Sequence, residues 1–261
     1  MITFTPRPGA APLRRMVAAQ SVMESRLMLR NGEQLLLAVV IPVVVLVGGV
    51  EGAHHLGLHL THRPIEVFTP GVLALAVMST AFTSLAISTG FERRYGVIKR
   101  LGSSPLPRSG LLAGKVGGLL LVEVLQIAVI CIVAVLLGWS SPALGRSGPV
   151  VVVLAAALTV VLGTAAFASL GLFLAGVLRA EATLAAANLV YLLLMVGGAV
   201  VLPVSAYGGF GNVVRWLPSG ALGESMRRAL IQGSVDWIGI VVLLGWAIVG
   251  TVLTARTFQW E

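Results

Sequence analysis

Long apolar runs free of charge alternate with short polar links along the chain. Stretches without Asp, Glu, Lys, Arg or His cover residues 34–50, 67–91, 150–178, 182–204 and 237–255. A sixth, 109–138, is interrupted only by Lys115 near its start and Glu123 in its body. A transmembrane helix needs about 20 mostly apolar residues. The pattern therefore predicts six spans, over 34–54, 68–91, 109–138, 149–178, 182–204 and 235–256. The link between the fourth and fifth, 179–181, is short enough to require an antiparallel pair. Ahead of the first span, Leu13, Met16, Val17, Met23 and Leu27 recur at helical spacing among Arg14, Arg15, Glu24, Arg26 and Arg30. This predicts an amphipathic helix over 12–33 lying in the membrane interface. Residues 205–234 are too polar to cross yet carry Phe210, Trp216, Leu217, Leu222 and Met226. Short re-entrant helices at the outer face, broken near Pro218-Ser219-Gly220, are expected there.

Composition agrees with this pattern. Of 261 residues, 57% are hydrophobic and 11% charged, against about 25% charged in soluble domains. Mean hydropathy is +0.98. The fold class expected is an all-α polytopic membrane protein, one transmembrane domain over 1–261. The net charge of +8 reflects topology and not nucleic-acid binding. If both termini share one side, that side holds thirteen Lys and Arg against five opposite (Arg63, Arg146, Arg215, Arg227 and Arg228). Basic loops stay inside, so both termini are expected in the cytoplasm, at a bacterial plasma membrane. Sixteen Arg to two Lys, with abundant Ala, Gly and Val, fits the GC-rich genome of an actinobacterium. No apolar h-region precedes the first span, so no cleaved signal peptide is expected. Cys131 is single and has no intrachain disulfide partner.

The stretch 68–115 carries the most information. Pro70-Gly71 is expected to open the second span, since proline suits the first turn of a helix. The span ends in Phe91-Glu92-Arg93-Arg94-Tyr95-Gly96, followed by Val97, Ile98, Lys99, Arg100 and Leu101, then Pro105-Leu106-Pro107. A simple connection needs only a few residues. This longer loop, 92–107, with mixed charge and a proline stop, predicts a short cytoplasmic helix that offers a face to another protein.

With these features in order, the chain resembles permease subunits of ABC-2-type transporters, particularly bacterial drug-export permeases of the daunorubicin-resistance type. The entry helix, Pro70-Gly71, the Glu92…Gly96…Leu101…Pro105…Lys115 loop, Leu202-Pro203, Trp216-Leu217-Pro218 and Met226-Arg227-Arg228-Ala229-Leu230 match the family's order. Gly197-Gly198 stands where relatives often have Ser-Gly. The resemblance implies an exporter of two permease copies, a homodimer, with two cytosolic ATPase subunits that bind ATP and Mg. Glu92, Arg93, Arg94, Tyr95, Gly96, Val97 and Leu101 would be the ATPase-coupling residues, with Arg93 or Arg94 paired to the ATPase. Pro203, Trp216, Pro218 and Arg227 would belong to the outer re-entrant segment. A Walker A motif needs Gly-Lys-Ser/Thr, whereas Lys99 precedes Arg100 and Lys115 precedes Val116. The chain is thus expected to be a transport subunit, not an enzyme, with no cofactor of its own.

Other polar residues admit two readings. Glu123 sits near mid-membrane, where an ionised carboxylate costs about 2.5–3.5 kcal/mol on insertion scales. It is either a point on the translocation path or one end of an interhelical bond to a hydroxyl or Asn188; Gln126 lies one turn on. Ser79, Thr80, Thr83, Ser84, Ser88 and Thr89 line successive turns of the second span, facing substrate or serving helix packing. Asn188 and Tyr191 are similarly open. His55, His59 and His62 fall at i, i+4 and i+7, with a polar loop expected over a metal site. Pro42 is expected to kink the first span, and Gly114/Gly118 and Gly171/Ala175 are packing signals. Sixteen aromatic residues offer little stacking surface for a glycan, which favours a hydrophobic or amphipathic small molecule or a lipid. An ion-coupled transporter or channel using Glu123, and a polysaccharide or glycolipid exporter permease, are the alternatives.

Overall fold

The computed structural model describes residues 11–55, 62–102 and 105–257. Among these the chain is helical, with no strand. The helices are α1 (Leu13–Arg30), α2 (Gly32–His55), α3 (Pro64–Met78), α4 (Leu85–Arg94), α5 (Val97–Gly102), α6 (Arg108–Leu136), α7 (Leu144–Val177), α8 (Ala180–Gly197), α9 (Gly211–Val214), α10 (Pro218–Arg227) and α11 (Trp237–Thr257). Five stretches among the described residues are long and apolar enough to cross a membrane: Pro64–Arg94, Ser109–Leu136, Leu144–Val177, Ala180–Gly197 and Trp237–Thr257. The expected first span is helical as α2, 24 residues long, but its described apolar part, Ala38–Ala53, is shorter than the other five.

The span Pro64–Arg94 joins α3 to α4 through a π-helical turn, Ser79–Ser84. It starts earlier than the sequence suggests. Pro64, not Pro70, occupies the first turn, after Arg63. Arg63 Nε donates to Glu66 Oε1 at 2.8 Å, and Pro70 lies inside the helix. This is the central helix: 78% of its apolar window is buried, against 22–39% for the other spans. Phe82 meets Phe167 of α7 edge-on, with centroids 6.3 Å apart. Gly171 lets the backbone of the π turn approach α7, since a Cβ there would lie 2.8 Å from the Phe82 carbonyl oxygen.

Helix α1 is amphipathic as expected, but with its faces assigned unexpectedly. Its polar Gln20, Glu24 and Ser25 are buried, while Leu13, Met23 and Leu27 are exposed. The seat is a glycine face on α6: side chains or backbone of Gln20, Ser21 and Glu24 lie where Gly114, Gly117 and Gly118 would carry a Cβ. The Gly114/Gly118 pair thus receives α1. Acyl chains can cover the apolar face.

The helix of the fourth span runs Leu144–Val177, with a non-helical residue at Gly148 (φ 77°) just before Pro149. The fifth ends sooner than 204. Helix α8 stops at Gly197, Ala199 takes a positive φ of 52°, and a 3-10 turn covers Val204–Phe210. Pro218-Ser219-Gly220 starts α10 instead of breaking a helix; Pro218 sits in its first turn. Ala221, Leu222 and Met226 of α10 are buried, with Leu222 directly over Gly163 of α7.

The close seat of α1 on α6 makes Gly118 intolerant of a side chain. A Cβ there would meet Glu24 Cβ at 2.6 Å and Ser25 N at 3.2 Å, both on a helix that cannot yield locally. Gly118→Leu is expected to destabilise the protein by about 1–3 kcal/mol, the usual range for overpacking. Gly245→Ala, with nothing within 4 Å, is expected not to lower the unfolding midpoint, since alanine is the better helix former. Tryptophan fluorescence during thermal unfolding in detergent distinguishes the two.

Candidate functional site

The residues ending α4 converge on one junction. A helix rotates about 100° per residue, so Glu92, Arg93 and Arg94 leave the same turn in three directions. Glu92 reaches α6, where its Oε2 lies 2.6 Å from Lys115 Nζ. Lys115 also contacts Glu24 of α1 at 3.1 Å, and Gln20 Nε2 donates to the same Glu24 oxygen at 2.8 Å. Lys115 is 3% exposed, so its ammonium is balanced by carboxylates and not by water. Arg93 turns to α7 and donates through Nη1 to the carbonyls of Ala175 and Gly176, the latter at 2.9 Å. Those belong to the last turn of α7, whose carbonyls have no intrahelical donors and which favours a cation. Arg94 pairs with Glu181 in the first turn of α8.

After Arg94 the chain turns through Tyr95 and Gly96. Gly96 has φ 68°, a backbone region that glycine enters without strain. Its N–H donates to Arg93 O at 3.1 Å. The short helix α5 follows, with Ile98 buried and Lys99 and Arg100 exposed; Val97 and Leu101 are half-buried. Tyr95 is 64% exposed and stacks on Phe91 at 6.2 Å. Glu92 and Arg93 make contacts within the chain, and the short helix Val97–Gly102 follows directly. Residues 103–104 of the expected loop lie outside the described residues.

The polar residues inside the spans do not gather into one path. Thr164 Oγ1 of α7 lies 2.6 Å from Glu123 Oε2, the interhelical hydroxyl contact foreseen as one of two readings. Gln126 points elsewhere. Its Oε1 accepts from Thr80 at 2.7 Å and its Nε2 donates to Ala38 O of α2 at 3.0 Å. Thr80 and Gln126 thus bind α2, the π turn and α6 together. Thr83 is half-buried, Tyr191 is buried and Asn188 is exposed on α8. In the histidine segment, residues 56–61 lie outside the described residues, so the His55, His59 and His62 spacing has no structural counterpart here.

The opposite end is organised by Arg227, 5% exposed. Its Nη1 donates to Val200 O (3.1 Å) and Val201 O (3.3 Å), and its Nη2 to Ala199 O (2.8 Å) and Leu202 O (3.0 Å). Burial works against its charge and the Glu224 carboxylate, 3.3 Å from Nε, works for it. The backbone it holds is the non-helical stretch after α8. Gly223 of α10 faces that stretch closely, since a Cβ there would lie 2.7 Å from Val200 O; Gly71 of α3 faces it at Val201. Pro203 follows the held stretch. Trp216 is exposed and accepts, through its carbonyl, a bond from Trp246 Nε1 at 2.9 Å. Asp236, ahead of α11, is buried near Arg228 (3.1 Å) and Arg215 (3.7 Å).

Sequence reasoning missed Glu24, Glu181, Glu224 and Asp236 as partners, and named Lys115 in the loop pattern without a partner for its charge. The available signal was a charge at the edge of an apolar run, where burial demands an opposite charge.

A sequence model of the family described as "ABC-2 family transporter protein" matches residues 65–256, well over half of the chain. No curated protein and no solved structure matches.

The buried lysine and arginine generate paired expectations. Lys115→Met leaves two carboxylates facing each other and is expected to cost about 3–5 kcal/mol, as for a broken buried pair. Adding Glu24→Gln and Glu92→Gln is expected to recover most of that loss. Arg227→Lys is expected to destabilise nearly as much as Arg227→Met, because a single ammonium cannot span four carbonyls in the way a guanidinium does. Unfolding midpoints of the four variants in one detergent check both statements.

Proposed function

The chain belongs to the ABC-2 family of transporter proteins, and from that premise we propose that it is the permease subunit of an ATP-driven exporter whose ATPase is a separate polypeptide. A permease of this family is a membrane transport component and not itself an enzyme, and such permeases work with an ATPase. Here ATP and Mg belong to that partner. The observation that carries the reading is the junction at the end of α4: three consecutive residues engage three different neighbours, directly beside a short helix with exposed Tyr95, Lys99 and Arg100.

In this reading α5 seats in a cleft of the ATPase. Closure of the ATPase dimer pushes α5, and α4 moves with it because the two are separated only by the Tyr95-Gly96 turn. Glu92 carries the displacement to α6 and α1 through Lys115. Arg93 carries it to α7, and Arg94 to α8. Helix α2 serves as a sixth span. The basic end, with α1 and α5, faces the cytoplasm with both termini, at the plasma membrane. Re-entrant α10 then lies at the outer face, where the Arg227 contacts close the exit in this conformation. Exposed Asn188 in the middle of α8 supports a second copy across that face, since lipid cannot satisfy an amide. The substrate is a hydrophobic or amphipathic small molecule, drug-like or lipid, consistent with the resemblance to drug-export permeases.

The test separates docking from folding. Tyr95→Ala/Lys99→Glu is expected to leave the unfolding midpoint of the permease unchanged. It should weaken retention of the co-expressed ATPase by about 2 kcal/mol, the scale of an interface hot spot. Glu92→Ala/Arg93→Ala/Arg94→Ala is expected to lower the midpoint itself. If Tyr95→Ala/Lys99→Glu retains the ATPase as the wild type does, α5 is not the docking helix.

A further inference from the structure

Beside the junction, where α4 ends, α7 ends and α8 begins, an open crevice of about 500 Å³ is lined by Gly90, Arg93, Arg94, Arg179, Glu181 and the apolar residues Val177, Leu178 and Ala180. Three arginines and one glutamate line it. The crevice lies where three membrane-length stretches terminate together, so it sits at the membrane–water boundary whichever way the chain is inserted. Its chemistry is divided. Val177 at the end of α7 is exposed and apolar, while the arginines provide the polar wall. Arg93 is held in place by the Ala175 and Gly176 carbonyls, and Arg94 by Glu181. Arg179 is exposed at the start of α8.

We propose that this crevice binds the phosphate headgroup of an anionic phospholipid, with Arg179 as its principal contact and the acyl chains leaving past Val177. Guanidinium groups bind phosphate through paired N–H donors, and a cation close to an anionic membrane surface contributes about 1 kcal/mol, roughly fivefold in affinity. An acidic protein segment would be drawn to the same arginines, but a site at the level of the headgroups, with an apolar edge, favours the lipid. The proposal is independent of the exporter reading, because three spans ending together position the crevice without any ATPase.

The experiment is native mass spectrometry of the full chain, without ATPase, in detergent containing phosphatidylglycerol or phosphatidylcholine. The wild type is expected to retain phosphatidylglycerol in preference to phosphatidylcholine. Arg179→Gln is expected to lose about fivefold of that preference, with an unchanged unfolding midpoint. Arg179→Lys should keep most of it, and Arg15→Gln, exposed on α1, should keep all of it. Equal retention of phosphatidylglycerol by Arg179→Gln and wild type overturns the site. Displacement of phosphatidylglycerol by an equal concentration of inorganic phosphate overturns the lipid assignment in favour of a free anion. Unchanged lipid retention by Arg179→Gln, with loss of the ATPase when that variant is separately co-purified with it, overturns it in favour of a protein segment.

Discussion

One ammonium group withdrawn from water holds the basic end of this protein together. Lys115 lies between Glu24 of α1 and Glu92 of α4, and α6 carries it. Without it, α1 would be an interfacial helix with a buried carboxylate, and α4 would end in a second one. The glycine face of α6 allows this arrangement. Only with Gly114, Gly117 and Gly118 beneath it does α1 come close enough for Glu24 to reach Lys115. Packing and electrostatics are therefore coupled at this position, and the geometry of the α4 terminus, with the short helix α5 beyond it, follows from both.

The other end meets the same constraint with different chemistry. Hydrocarbon offers no hydrogen bonds, so irregular backbone at membrane depth persists only where protein groups satisfy it. The stretch after α8 exposes the carbonyls of Ala199, Val200, Val201 and Leu202, and a single guanidinium takes all four. Those contacts cross from α10 to the end of the fifth span. Gly71 and Gly223 clear the space on either side. Between the two ends, Glu123–Thr164 and Thr80–Gln126–Ala38 join helices pairwise. Among the described residues these intramembrane polar groups cross-link neighbouring helices.

Much of this fold was legible in the pattern of charge. Five apolar runs mark membrane-length helices. The short link at 179–181 gives the α7–α8 hairpin. Three things were not legible, each for a physical reason. The π turn at Ser79–Ser84 shifts the helical phase, so equal spacing along the hydroxyl stripe does not place Thr80 and Thr83 in equal environments. Periodicity shows which residues of α1 share a face but not which face meets protein, because lipid tails are as apolar as a protein core. The Glu92-Arg93-Arg94 cluster was recognisable as important, yet its partners come from residues far along the chain. Local pattern carries no information about them.

The three contacts of that cluster differ in strength, and the difference sets how readily α4 parts from each neighbour. The Glu92–Lys115 pair is buried, so separating its charges leaves them uncompensated at several kcal/mol. Arg93 satisfies two carbonyls at a helix end, a charge-assisted contact of intermediate cost. The Arg94–Glu181 pair is more than half exposed on both sides, and such pairs contribute about 0–1 kcal/mol. Displacement of α4 therefore takes α6 and α1 with it, strains α7 next, and parts from α8 most cheaply. Helix α8 is also among the least buried of the spans. The α4–α8 boundary, where the basic crevice opens, is accordingly where the arrangement changes at least cost.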